Sequence, residues 1–206
     1  MTAMPLLREF PALDQEVNGK RLVYLDNAAT TQRPLKVIET VDSFYRHDNA
    51  NVHRGVHTVS QRATNRFDAA RTTVARYINA ERDDEIVFTK GCTEALNLVA
   101  QSWGSANLRP GDVVLISTME HHSNLVPWQT VARAQGAKVV AIPVSDSGDI
   151  AFEEFECLLK AHPVKMVAVK HVCNAIGTVN PVEAMAEAAH RYGARITIDG
   201  AQARCV

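Results

Sequence analysis

The stretch DVVLISTMEHHSNLVPWQTVARAQGAKVVAIPV, residues 112–144, decides the fold class of this chain. It opens with the β-type run Asp112–Thr118, continues with the helix-like segment Leu125–Gln135 and closes with the β-type run Lys138–Val144. Both runs are blocks rich in Val and Ile without polar alternation, which is typical of strands covered on both faces. A strand, a helix and a second strand in this order predict a parallel crossover unit.

The same alternation continues on either side of this stretch after residue 84. The other β-type runs are Glu85–Thr89, Lys165–His171 and Arg195–Asp199, and the other helix-like segments are Glu94–Trp103, Phe152–Ala161 and Pro181–Tyr192. Asn180 and Gly193 flank the last segment as a suitable cap and stop. Two further helical stretches precede residue 84, about Leu35–His47 and His57–Asn79. We therefore predict an α/β fold with a largely parallel sheet flanked by helices.

The composition narrows the class of protein. The 206 residues are 46% apolar and 22% charged, as in folded globular chains, and 22 Lys and Arg nearly balance 23 Asp and Glu. This balance does not favour binding to nucleic acid or to an anionic membrane, and no apolar run approaches the roughly 20 residues of a membrane helix. We expect a cytoplasmic protein, because the cysteines form no CxxC pair; they are Cys92, Cys157, Cys173 and Cys205.

The residues that follow each predicted strand are the candidate ligand site, because ligands of such sheets bind at the carboxyl ends of the strands. Gly91-Cys92-Thr93 lies between a predicted strand and a predicted helix. A helix N-terminus offers free N–H groups to a phosphate, and the Thr93 hydroxyl adds a donor. A tight turn with an N-cap is the alternative interpretation of this segment.

A histidine pair, His121 and His122, follows the strand Asp112–Thr118. An imidazole at this position can stack on a flat ring, and a solvent-exposed histidine pair is the alternative. No third ligand with metal spacing accompanies the pair, so we predict no metal site. A metal-binding module that adds His53 and His57 is disfavoured, because the two pairs lie far apart in the sequence.

An acidic residue, Asp199, ends the apolar strand that begins at Arg195. A carboxylate desolvated at a strand end needs a partner, and the protonated nitrogen of a pyridine ring is one. Pairing with Arg195 or Arg204 is the alternative. Amide side chains that can bond a phenolic oxygen on such a ring follow two strands, at Asn174 and Gln202. A phosphate site, a stacking ring, a pyridinium partner and two amides at one sheet edge favour pyridoxal phosphate (PLP).

The motifs of this chain resemble those of the SUF-type cysteine desulfurases, a branch of the class V aminotransferases that includes selenocysteine lyase. The resemblance covers essentially the whole chain. Its motifs are Tyr24-Leu25-Asp26-Asn27-Ala28-Ala29-Thr30-Thr31, Val52-His53-Arg54-Gly55, Gly91-Cys92-Thr93-Glu94, Glu120-His121-His122-Ser123-Asn124, Cys173-Asn174 with Gly177-Thr178, and Asp199-Gly200-Ala201-Gln202.

The resemblance implies a set of cofactor-binding residues. Cys92 and Thr93, through the backbone and the Thr93 hydroxyl, resemble the phosphate binders. His121 resembles the catalytic imidazole that stacks on the ring and shuttles protons. Asp199 resembles the partner of the pyridinium, and Gln202 the donor to the phenolic oxygen of the ring. Cys92 departs from the Thr or Ala that is more frequent in the family.

The resemblance also implies residues around the substrate. Asn174 resembles the side chain near the ring and the substrate carboxylate. Ala28 and Ala29 resemble the residues of a loop that lines the substrate entry. His53 and Arg54 lie in a segment that contributes to the dimer and to the rim of the active site in the family.

The implied fold is that of the type I PLP-dependent transferases, with an N-terminal segment at 1–25 and a large PLP-binding domain at 26–206. The implied reaction removes sulfur from L-cysteine, or from L-selenocysteine as an alternative substrate, and releases L-alanine. It leaves a persulfide on the enzyme, a homodimer, and a sulfur-acceptor protein of the SUF system takes this sulfur to iron–sulfur cluster assembly. A kynureninase-like or isomerase-like class V enzyme and a non-catalytic truncated fragment are the alternatives.

Three functional residues of the family come after the motif at Asp199 and are expected beyond the end of this sequence: the Schiff-base lysine of a Ser-Gly-His-Lys type motif, the persulfide cysteine and the carboxylate-binding arginine. Lys170 is a poor substitute for that lysine, and neither Cys173 nor Cys205 matches the nucleophile; Cys173 is predicted to be a small buried residue. We expect a truncated or frameshifted sequence whose sheet is incomplete at the C-terminus, and a chain that by itself neither holds PLP tightly nor desulfurates cysteine.

Overall fold

The computed structural model describes residues 7–203, and the chain divides between Phe88 and Thr89 into two compact units. The first unit contains a short antiparallel pair and two helices: β1 (Glu16–Val17), β2 (Lys20–Arg21), α1 (Leu35–His47) and α2 (Thr58–Tyr77). Short 3-10 turns lie at Pro11–Leu13 and Asp83–Glu85. The expected division into a segment at 1–25 and a domain at 26–206 stays a prediction, and residues 1–6 and 204–206 lie outside the described residues.

A buried carboxylate links the two helices of the first unit. Asp48 directly follows α1 and is 3% exposed. Its carboxylate accepts from Nε of Arg62 at 2.6 Å and lies 3.1 Å from Nη2 of Arg66, and both arginines belong to α2. A buried carboxylate is retained at low cost only when it is paired in this way, so this ion pair fixes α1 against α2.

The second unit is a parallel sheet with the strand order β4-β3-β5-β6. Its strands are β3 (Val113–Ser117), β4 (Lys138–Ile142), β5 (Val164–Lys170) and β6 (Arg195–Asp199). Its helices are α3 (Cys92–Val99), α4 (Ser105–Asn107), α5 (His122–Gln135), α6 (Phe152–Ala161) and α7 (Val182–Arg191), and a π-helical stretch, Ala100–Gly104, joins α3 to α4.

The side chains of the sheet point alternately to its two faces, and on each face they form part of an apolar cluster. On one face, Val167 and Val169 of β5 pack with Phe155 of α6 and Met185 of α7. On the other face, residues of β3 and β5 pack with the fully buried Trp128 of α5; they are Val114, Ile116, Met166 and Ala168. Burial on both faces explains why β3 and β5 lack polar alternation, whereas β4 and β6 are partly exposed. The predicted parallel sheet flanked by helices is confirmed.

The prediction of a strand at Glu85–Thr89 is wrong. Glu85 ends a 3-10 turn, and Val87 and Phe88 are 65% and 45% exposed. Local composition favours β structure here, but a strand also requires a neighbour for its backbone hydrogen bonds. Within residues 7–203, no strand of the sheet pairs with this segment.

The cap predicted for the last helix is also wrong, whereas the stop is confirmed. The N-cap of α7 is Pro181, and no side chain caps this end. The Asn180 amide instead donates to the carbonyl of Lys170 at 2.9 Å, because that buried acceptor at the end of β5 also needs a partner. Gly193 follows the C-cap with φ 74°, the left-handed conformation that glycine adopts without strain.

Within residues 7–203, no helix is both long enough and apolar enough to cross a membrane.

Candidate active site

The candidate site lies at the carboxyl ends of β3, β5 and β6. Lys170 and Asp199, the last residues of β5 and β6, are register partners, so these two strands end side by side. The backbone N–H of His171 continues the ladder by donating to the carbonyl of Asp199 at 2.9 Å. The side chains that follow each strand therefore lie close together at this carboxyl edge of the sheet, as in other open parallel sheets.

The Asp199 carboxylate is 7% exposed. Its Oδ1 accepts from the Ala201 backbone N–H at 3.0 Å and from the Cys92 thiol at 3.3 Å. Within residues 7–203 this carboxylate forms no ion pair, and the alternative partner Arg195 is exposed; Arg204 lies outside the described residues. A buried carboxylate with two neutral donors and no cation is suited to a cationic ligand, and a protonated pyridine nitrogen meets that need.

The α3 N-terminus lies beside Asp199 through the Cys92 contact. Burial, together with the hydrogen bond and the negative charge of Asp199, raises the pKa of Cys92 to about 12, so this thiol stays protonated at neutral pH. Thr93 is exposed in the first turn, and no side chain caps Gly91 at this helix end. The N–H groups of an uncapped helix N-terminus are suited to a phosphate.

His121 is the N-cap of α5. The backbone N–H of Ser123 donates to its Nδ1 at 3.2 Å, and the Ser123 hydroxyl lies 2.8 Å from the same nitrogen. Because Nδ1 accepts, the neutral ring carries its proton on Nε2. The ring is exposed, and His122 lies edge-on to it at 6.2 Å between centroids. The cap therefore fixes an imidazole at the site edge with one face and one N–H available to a ligand.

The two amide residues lie in the loops after β5 and β6. Asn174 is exposed, and its Oδ1 accepts from Nζ of Lys170 at 2.9 Å. Gln202 is half-buried in the turn that follows β6. Ala28 and Ala29 belong to an exposed loop of the first unit, where the N–H of Ala29 donates to the carbonyl of Asp26 at 3.2 Å. Cys173 is 4% exposed, which confirms its prediction as a small buried residue.

Glu120 belongs to the site, although in the sequence it stands out only as part of a motif. Glu120, directly before His121, accepts from the Ser117 hydroxyl, from Nδ2 of Asn124 at 2.7 Å and from the backbone N–H of Lys170 at 2.9 Å. Burial raises the pKa of Glu120, while these hydrogen bonds and the charge of Lys170 oppose the rise. The available signal was an acidic residue just beyond an apolar strand, four residues before a side-chain amide.

The chemistry of this edge follows from these contacts. A buried carboxylate without a cation and an uncapped helix N-terminus fit the pyridine nitrogen and the phosphate, the two ends of PLP. In the part of the chain that the structure describes, no group of three or more His, Cys, Asp or Glu side chains is arranged to hold a metal ion.

Comparison with known proteins gives consistent relatives. The chain is 51% identical over 202 residues to a probable cysteine desulfurase of Halalkalibacterium halodurans, covering 98% of this chain and 50% of that protein. A cysteine desulfurase structure from Thermococcus onnurineus superposes with a TM-score of 0.86 at 38% identity, covering 96% of this chain and 47% of that chain. One from Escherichia coli gives 0.82 at 36% identity, covering 99% and 50%.

The chain thus spans about half the length of these relatives. The aminotransferase class-V family profile matches residues 23–205, which is nearly the whole sequence. The fold of the second unit, the motifs at its strand ends and these relatives agree, and the chain belongs to the aminotransferase class-V family.

Proposed function

We propose that this chain supplies the cofactor-binding part of a PLP-dependent cysteine desulfurase, which removes sulfur from L-cysteine and releases L-alanine. The proposal is supported by the relatives of this name, about half identical to the chain over nearly all of its length. The observation that carries it is the buried carboxylate of Asp199, which has no cationic partner in residues 7–203 and lies against the first turn of α3.

Each residue of the site has a proposed task. The backbone N–H groups at Cys92 and Thr93, with the Thr93 hydroxyl, hold the phosphate. Asp199 keeps the pyridine nitrogen protonated by pairing with it. His121 stacks on the ring and moves a proton at Nε2. When bound, PLP supplies an electron sink for the charge that develops on the substrate.

Substrate contacts are proposed for two regions of the chain. The Asn174 amide donates to an oxygen of the ring or of the substrate carboxylate, and the Gln202 amide donates to the phenolic oxygen. Ala28 and Ala29 are proposed as substrate-lining residues on the resemblance alone.

The cysteines of the second unit are not suited to carry the transferred sulfur. Cys92 stays protonated because its pKa is raised to about 12, and Cys173 is buried. Cys157 is exposed on α6 and lines a cavity of about 440 Å³ with Ala141 and Pro143, beside the end of β4, a strand that contributes none of the site residues above. Cys205 lies outside the described residues.

Further properties are proposed from the resemblance. They are a homodimeric assembly, delivery of the sulfur to an acceptor protein of the SUF system for iron–sulfur cluster assembly, L-selenocysteine as an alternative substrate, and a cytoplasmic location.

Titration of the purified chain with PLP tests the cofactor assignment. We expect Asp199→Asn to weaken PLP binding about tenfold or more, because the pyridinium loses its ionic partner. The control is Asp146→Asn, which removes an exposed carboxylate after β4. Equal PLP affinity of the two variants would contradict the assignment. Formation of L-alanine from L-cysteine, measured on the longest protein that contains this chain, tests the reaction.

A further inference from the structure

The end of β5 carries a buried lysine. Lys170 is 3% exposed, and its Nζ donates to Oδ1 of Asn174 at 2.9 Å and lies 3.9 Å from Sγ of Cys173. A lysine amine removed from water is retained only where it has partners that compensate its charge. Asn174 is the partner at hydrogen-bond distance, and it is itself exposed at the site.

The main chain of Lys170 is held from two sides. Its N–H donates to Oε1 of Glu120 at 2.9 Å, and its carbonyl accepts from Nδ2 of Asn180 at 2.9 Å. The Glu120 carboxylate also provides a negative charge near the lysine. These bonds fix the point from which the lysine side chain extends.

The lysine projects to the face of the sheet on which Asp199 lies. Lys170 and Asp199 are register partners in a parallel pair, and such partners share a face. Ala168 and Thr197, two residues before Lys170 and Asp199, are register partners as well, and on this face the Thr197 hydroxyl donates to Sδ of Met166 at 3.3 Å. The side chains of Lys170 and Asp199 therefore lie on the same face of the sheet, at the same end of their strands.

The lysine determines which end of the Asn174 amide is presented. An asparagine amide has an oxygen that accepts and an NH2 group that donates. Because a lysine ammonium only donates, it can bond the oxygen but not the NH2 group. With Oδ1 bonded to Nζ, the NH2 group is the end left for a ligand. A flipped amide would bring donor against donor, so that orientation is disfavoured.

We propose that Lys170 is a positioning residue which holds Oδ1 of Asn174, so that this asparagine acts only as a donor toward an anionic or phenolic oxygen of the ligand. The identity of that ligand as PLP with its amino acid substrate rests on the proposed function. The Lys170–Asn174 arrangement itself does not, because it is a contact within the second unit.

The test uses the full 206-residue chain labelled with 15N and compares three variants by the side-chain amide signals of Asn174. Lys170→Met removes the donor at similar length, and Lys170→Gln supplies a neutral donor in its place. Lys165→Met is the matched control, since it removes an exposed lysine from the same strand. We expect the Asn174 signals to move in Lys170→Met and to stay near the wild-type position in the other two.

Addition of PLP provides the second readout. We expect PLP to shift the Asn174 NH2 signals of the wild type, Lys165→Met and Lys170→Gln, and to bind Lys170→Met about three- to tenfold more weakly. Asn174 signals that are the same in folded Lys170→Met and Lys165→Met overturn the positioning role. If Lys170→Met does not fold, displaced Asn174 signals in folded Lys170→Gln overturn it.

The two proposals fail in different ways. If PLP leaves the wild-type Asn174 signals unchanged while Lys170→Met still moves them, the cofactor assignment fails and the positioning role stands. If PLP binds but the variants do not differ, the positioning role fails alone.

Discussion

The Cys92 thiol donates to Oδ1 of Asp199 at 3.3 Å, which ties the first turn of α3 to the carboxyl end of β6. The two residues are 107 positions apart in the sequence. The contact sets the proposed phosphate site beside the proposed pyridinium partner, and it gives the thiol unusual acid–base properties.

The first prediction concerns the reactivity of the Cys92 thiol. With a pKa of about 12, only about one Cys92 in ten thousand is a thiolate at about pH 8, so alkylation is slow. We expect iodoacetamide to modify the exposed Cys157 well before Cys92, as measured by mass spectrometry of peptides. Asp199→Asn should accelerate the reaction at Cys92, because it removes the negative charge that adds to burial in raising this pKa. An unchanged Cys92 rate in that variant would refute the electrostatic explanation.

The second prediction concerns stability at alkaline pH. The pKa of Cys92 rises on folding from its usual 9.0 to about 12, so the folded state favours the protonated thiol. The contribution of the protonated thiol to the free energy of unfolding is present in full below about pH 9 and is lost as the pH rises toward 12. We expect Cys92→Ser to show a smaller loss of stability than the wild type between about pH 8 and 10.5, as measured by urea denaturation. Cys157→Ser is the control and should follow the wild type.

The third prediction concerns the three donors at Glu120. Gln at this position keeps the size of the side chain but sets an NH2 group among donors, so at least one buried donor loses its acceptor. We expect Glu120→Gln to lower the free energy of unfolding by about 1–3 kcal/mol. Glu153→Gln, on an exposed position of α6, should change it by less than about 0.5 kcal/mol. Equal effects of the two substitutions would show that the Glu120 bonds contribute nothing.

The fourth prediction concerns the ion pair of the first unit. Asp48→Asn leaves Arg62 and Arg66 without their shared carboxylate and should lower the free energy of unfolding by about 2–3 kcal/mol. Asp42→Asn removes the exposed pair with Arg46 and should cost less than about 1 kcal/mol. Urea denaturation monitored by circular dichroism distinguishes them. A ranking in the reverse order would contradict the role of burial.

Much of this fold was predictable because β3 and β5 are buried on both faces and therefore stand out as apolar runs. Glu85–Thr89 has the same local character, but no local pattern shows whether a neighbouring strand exists. Asn180 has the composition of a cap, yet its amide serves the buried carbonyl of Lys170. In both cases a tertiary partner, which the local sequence does not show, decides the structure.

The site was predictable to the extent that its residues follow strands directly. His121, Asn174 and Asp199 occupy the strand ends at which such a sheet binds ligands. The contact of Cys92 with Asp199 and the hold of Lys170 on Asn174 were not predictable, because each depends on the way the chain returns to the same edge. Sequence position identified the candidates, while packing determined the atoms that each one presents.

His121 performs two tasks with one ring. Its Nδ1 can accept the Ser123 N–H only while that nitrogen carries no proton. Because Nδ1 is occupied at the start of α5, only Nε2 and the ring faces are left to meet a ligand, and a rotation of the ring would break the cap. The orientation of the proposed stacking surface is therefore coupled to the integrity of the first turn of the helix.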